Sequence, residues 1–259
     1  MDHPAATPEP LLAQAPSTSP AAGIRERLAL VGALLVYCMG GYYALGLSQD
    51  PLEAGELRLP IDDWIPLIPA TIWCYVWVYT VMLYPVFTVR ERALFRRVTL
   101  AYAVVITISL GFYALLPVTS IHLRPDLSQL DLRVFHNWGL RVNYALDPPL
   151  NLFPSLHLSI ATLAALCAGR ARPLWGYLAI PLVLGIAVSI LTVKQHFVVD
   201  GVAGLILGAG AYVAFVHATP RGDQPAYGWR GPLAYTGVLL GFYLAFFALF
   251  LGGYAPWTE

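Results

Sequence analysis

His196 and Asp200 stand four residues apart in the stretch "KQHFVVD". If a helix begins by Phe197, the two side chains point the same way, one turn apart. An aspartate that accepts an imidazole N–H fixes the ring's tautomer and stabilises its charged form. The other nitrogen is then left to attack an electrophile or take a proton. Earlier in the chain, "FPSLH" reads as a helix start, with Pro154 at the first helical position, Ser155 near the cap and His157 in the first turn. Such an end offers unpaired N–H groups and a positive dipole, which suit a phosphate. A histidine there can give a proton to a departing oxygen. Plainer explanations compete: a capped helix with a histidine at a membrane surface, and an aspartate that only serves a helix N-terminus.

Cations add to the pattern. Lys194 is the only lysine in the sequence and lies two positions before His196, while Arg124 stands in "LRP". Dispersed positive charge suits phosphoryl transfer, whose transition state spreads negative charge over three oxygens. For Arg133 and Arg141 the plainer account is a long side chain snorkelling from a span end. Arg141 and Asn151 are retained as possible substrate contacts, although Asn151, like His136, reads more simply as structural. No acidic cluster accompanies the histidines, so nothing in these residues calls for a metal or another cofactor.

These residues sit in an unusually apolar chain: 58% hydrophobic and 12% charged, with a mean hydropathy of +0.64. Soluble domains run at about 45–50% apolar and about 25% charged, so the composition is that of a membrane protein. The formal net charge of zero gives nucleic acid no basic face to bind. Cys38, Cys74 and Cys167 lie within apolar runs without metal-ligand spacing and read as small core or lipid-facing residues. A spanning helix needs roughly 20 mostly apolar residues. Seven stretches qualify: 28–47, 65–89, 98–118, a shorter 154–168, 173–193, 197–218 and 233–254. Pro66, Pro69 and Pro85 disturb the second, and Arg170 and Arg172 close the fourth early. The expected fold is therefore all-α, a polytopic bundle of six core transmembrane helices plus a seventh at the C-terminus.

Arginine placement orients the bundle. The segments before the first span and between the second and third, fourth and fifth, and sixth and seventh hold ten of the fifteen Lys and Arg. By the positive-inside rule they face the cytoplasm, which places His157, His196 and Asp200 together on the opposite side. The Pro- and Ala-rich residues 1–24 are expected to form a disordered cytoplasmic tail. Residues 25–218 then form the membrane core, and 219–259 a cytoplasmic loop with the last helix. In the long outer loop, 127–142 suits a short interfacial helix that could roof the site.

Taken together, "RP" at 124–125, "PSLH" at 154–157 and "SILTVKQHFVVD" at 189–200 resemble the three signature motifs of the type 2 phosphatidic acid phosphatase superfamily. That pattern is Lys-x6-Arg-Pro, Pro-Ser-Gly-His and Ser-Arg-x5-His-x3-Asp. The likeness runs from roughly residue 60 to 217. It departs from the pattern where Pro117 stands for the first lysine, Leu156 for the glycine and Ile190 for the arginine of the third motif. "FPSLH" with "KQHFVVD" is similar to the branch that contains the inositol phosphorylceramide synthases, which transfer a phospho-headgroup between lipids.

The resemblance implies a metal-independent enzyme of lipid phosphate esters. His196 would be the nucleophile that forms a phosphohistidine, Asp200 its orienting carboxylate and His157 the general acid. Arg124 and Ser155 would bind phosphate, with Lys194 supplying charge that Ile190 cannot. Water or an alcohol would complete the reaction, giving a phosphatase or a headgroup transferase. A non-catalytic binder or transporter on the same fold is the alternative from another class. The expected setting is a bacterial inner membrane, with a membrane lipid as substrate and the site facing the periplasm. Neither the lipid nor the oligomeric state is specified.

Overall fold

The computed structural model describes residues 21–219 and 228–257; the expected N-terminal tail up to residue 20, and Arg221, lie outside them. Helix α1 (Ile24–Ser48) opens the chain. Tight turns at Pro60–Asp63 and Pro69–Thr71 and the short helices α2 (Ile72–Tyr75), α3 (Val78–Val81) and α4 (Tyr84–Thr88) follow. Then come α5 (Arg92–Leu115), α6 (Phe135–Leu146), α7 (Leu156–Ala171), α8 (Pro173–Thr192), α9 (Val198–Tyr212) with a wider turn at Val213–His217, and α10 (Arg230–Leu251). The protein is an all-helical membrane bundle: α1, α5, α8, α10 and the run Val198–His217 are each long and apolar enough to cross a bilayer, and α7 is a shorter apolar helix.

The second expected span is not one helix. Within it prolines stand in the first turn of two elements, at Pro69 and Pro85, and Pro60 opens the turn that precedes it. The β-branched and aromatic run between them has little helical preference of its own. Backbone groups freed by the breaks need partners in an apolar setting, and neighbours provide them. The Ile68 N–H reaches the Thr192 carbonyl at 2.9 Å, Arg27 donates to the Val86 and Val89 carbonyls, and Tyr243 donates to the Trp73 carbonyl. The interfacial helix expected at 127–142 begins later, as α6, after a loop in which Asp126 and Asp131 bind the N–H groups of Ser128 and Arg133. The Ser128 hydroxyl, with its N–H, holds the Asp126 carboxyl below the usual range, and the Arg133 N–H does the same for Asp131.

Helix α7 is both short and central. Residues Leu156 through Ala164 are all buried, the signature of a helix wrapped on every side. Helix α5 instead buries one stripe, including Phe95, Val98, Tyr102, Val105, Ser109 and Tyr113, and shows Leu100, Ile108 and Phe112 outward. Small residues let α7 and its neighbours close up: a Cβ on Gly176 would meet the Gly169 Cα at 2.7 Å. The arginine-rich helix ends gather at one end of the bundle. There Glu26 pairs with Arg92 and Arg96, Arg170 donates to the His217 and Thr219 carbonyls, and Trp175 meets Trp229 edge-on. The start of α7 and the α8–α9 turn lie at the other end.

Candidate active site

Close backbone contact between α7 and α9 builds the site. A Cβ on Gly204 would lie 2.5 Å from the Ser155 carbonyl oxygen, and one on Gly208 2.5 Å from that of Ser159. Only glycine admits this approach. The Ser155 N–H donates to the Asp200 carbonyl at 3.0 Å, and Tyr113 donates from α5 to the Pro154 carbonyl at 2.9 Å. These bonds fix the first turn of α7 against the first turn of α9.

The turn before His196 is set by an α8 C-cap. Lys194 takes a left-handed conformation, φ 58°, and the N–H groups of Gln195 and His196 both reach back to the Ile190 carbonyl. This position usually carries glycine. The turn drops His196 into the bundle beside His157. His196 Nε2 lies 3.1 Å from His157 Nδ1 and 3.4 Å from Ser155 Oγ, and His196 Nδ1 faces Asp200 Oδ2 at 3.4 Å. The same Asp200 oxygen accepts the Phe197 N–H at 2.8 Å, while Ser155 Oγ caps α7 by accepting from Leu158. All four side chains are buried. A carboxylate, two imidazoles and a hydroxyl thus meet at one point, where a neutral ring can present an in-plane lone pair and its neighbour a proton.

Other residues that composition and spacing did not single out complete the constellation. Asp147, buried just past the end of α6, accepts from Tyr42 at 2.7 Å, from Tyr75 at 2.6 Å and from Gln195 at 3.4 Å. The Tyr75 hydroxyl also contacts His157 Nε2 at 2.9 Å. Arg124 donates to the Asp147 carbonyl at 2.9 Å and to the Gln195 side-chain oxygen, and lies over the Tyr144 ring. Asp147 reads in the sequence as one more outer-loop acid before a Pro-Pro pair, and Tyr75 as one of many aromatics in a belt; neither carries a local signal of its partner.

Three candidate residues stand elsewhere. Lys194 Nζ donates to the backbone carbonyls of Asp62 and Ile65. Burial holds its ammonium below the ordinary lysine range, with Asp62 opposing that shift. Asp62 in turn accepts the Val198 N–H at 2.8 Å, so the loop ahead of the broken span caps α9. Arg141 lies over the Trp257 ring, 5.7 Å from its centroid. Asn151, at φ 65°, donates to the Tyr42 carbonyl at 2.8 Å and fixes the chain ahead of α7.

A cavity of about 90 Å³ opens between α1, α3 and α7. Leu35, Met39, Val78, Met82 and Ile160 make its apolar wall, and His157 and Asp147 stand among its lining.

A protein-family model described as the PAP2 superfamily matches residues 59–214, more than half of the chain. The chain belongs to the PAP2 superfamily. No curated protein and no solved structure matches it. The departures of this PAP2 chain from the family motifs have structural settings. Ile190 is buried, and its side chain would touch a Cβ placed on Gly201, so apolar packing fills the place of the third-motif arginine. Leu156, in place of the glycine, turns into the apolar cavity beside His157.

Proposed function

We propose that this PAP2 protein is a membrane enzyme that transfers the phosphoryl group of a lipid phosphate ester through a phosphohistidine on His196. The observation that carries the proposal is the facing of His196 Nε2 and His157 Nδ1 across 3.1 Å, with Asp200 behind His196. With Nδ1–H turned toward Asp200, Nε2 is the free lone pair that attacks phosphorus. The P–O bond to the lipid breaks, and His157 Nδ1–H protonates the departing oxygen. The incoming group replaces the contact between the two rings.

Arg124 and Ser155 then neutralise and orient the phosphoryl oxygens. In the second step neutral His157 takes a proton from water or an alcohol, which attacks phosphorus and releases His196. The apolar cavity beside His157 supports a lipid as the group that leaves. The roles of Lys194, Arg141 and Asn151 are better assigned to holding the loops. A headgroup-transfer reaction of the inositol phosphorylceramide synthase type shares every step except the acceptor.

Purified protein given radiolabelled phosphatidic acid, alone and with long-chain alcohols, tests the proposal. Labelled inorganic phosphate identifies a hydrolase, and a new labelled lipid a transferase. His196→Ala is expected to lose about 10⁴-fold or more of the wild-type rate while eluting as a folded protein. Retention of wild-type turnover by that variant would remove the nucleophile.

A further inference from the structure

A continuous line of contacts joins two buried carboxylates through the histidine pair. It runs from Asp147 to the Tyr75 hydroxyl at 2.6 Å, on to His157 Nε2 at 2.9 Å, from His157 Nδ1 to His196 Nε2 at 3.1 Å, and from His196 Nδ1 to Asp200 at 3.4 Å. A carboxylate is acceptor-only, so each end of the line must be met by a donor. Three of these contacts are hydrogen bonds, and the fourth is at ion-pair distance, with no hydrogen-bond partner for His196 Nδ1. A ring lone pair turned at the carboxylate there would be repelled, so each of the four contacts needs a proton. Tyr75 has one, and two neutral imidazoles have one each. The line is one proton short unless one ring is an imidazolium.

We propose that Asp147, acting through Tyr75, is the positioning residue that keeps this additional proton on His157 in the resting site. Tyr75 spends its single proton on Asp147, the shorter contact, so its oxygen accepts from His157 Nε2–H. The negative charge of Asp147 thereby stabilises an imidazolium with a proton on both nitrogens. His196 stays neutral at Nε2, as a nucleophile must. Leaving-group protonation then takes the Nδ1 proton of His157, and the Nε2 proton stays directed at Tyr75, so the ring returns to neutral with its tautomer fixed. No oxidant, metal or further acid is needed.

The groups that face the pair come from each neighbouring element. Tyr42, Tyr43 and Cys38 belong to α1, Tyr75 and Tyr79 to the broken span, and Tyr113 to α5. Asp147 follows α6, and Gln195, His196 and Asp200 belong to the α8–α9 turn. Arg124 supports Asp147 through its backbone carbonyl.

The proposal rests on His157 being the acid of the reaction, but its test reads the proton directly. Ring-nitrogen NMR of histidine-labelled full-length protein in detergent, with His157 and His196 identified by loss of signal in His157→Gln and His196→Gln, should show one imidazolium in the pair at neutral pH. Tyr75→Phe and Asp147→Asn should each lower the pH at which it loses its proton by about one unit or more, a tenfold weaker proton affinity. Tyr42→Phe, which contacts the same carboxylate outside the line, should leave that titration in place. Two neutral rings in the wild-type protein, or a titration unmoved by both Tyr75→Phe and Asp147→Asn, overturns the proposal. So does a shift as large in Tyr42→Phe. If Asp147→Asn does not fold, Tyr75→Phe decides alone. Failure of the phosphoryl-transfer reading appears separately, as wild-type protein that neither releases nor transfers labelled phosphate.

Discussion

Lys194 illustrates how residue type and residue role part company. As the only lysine, two positions before a histidine, it invites assignment to a phosphate. Its ammonium instead binds two carbonyls of the preceding loop, and its left-handed backbone makes the turn that aims His196. Lys194→Ala is expected to lower the melting temperature while KM for phosphatidic acid stays within about twofold, because a hydrogen bond from a charged donor contributes about 1.5–3 kcal/mol. A tenfold rise in KM at unchanged stability would return the ammonium to the substrate. His196 and Asp200 were legible because they stand four residues apart, and Ser155 and His157 because they share one short motif, although the contact that joins the two groups spans 39 positions. Asp147 and Tyr75 were not, since their contact joins residues 72 positions apart that no spacing rule connects.

At the scale of elements, the α7–α9 seam sets the precision of the site. Gly204→Ala drives a methyl into the Ser155 carbonyl and should cost about 1–3 kcal/mol of stability. It should also slow turnover more than it weakens substrate binding, because it parts the two histidine-bearing turns. Gly210, on the same helix, has open space where a methyl group would stand, with nothing within 4 Å, and Gly210→Ala should be neutral or slightly stabilising. Equal melting temperatures and equal rates for the two variants would show that the seam does not govern the site. The apolar spans were legible because length and composition alone define them. The breaking of 65–89 was legible only as a disturbance, because its short helices depend on a carbonyl from α8 and side-chain donors from α1 and α10 that local sequence does not reveal.

For the whole molecule, the bundle sorts its charge: arginine-rich helix ends at one end and the histidine site at the other. From the arginine distribution along the chain we propose that the arginine-rich end faces the cytoplasm and the histidine end faces away from it. In a background without the native cysteines, Asp131→Cys should react with a membrane-impermeant maleimide in intact cells. Gly23→Cys should react only after permeabilisation, and the reverse pattern would invert the topology. Both positions are exposed.

Arg124 gives this arrangement a directional property. Its guanidinium is held by a carbonyl, an amide oxygen and an aromatic face, and among the described residues it forms no pair with a carboxylate side chain. If Arg124 receives the phosphate, as proposed, the arriving dianion has no internal salt link to displace. Neutral groups hold the guanidinium in position and leave its charge without an ion pair for that proposed encounter.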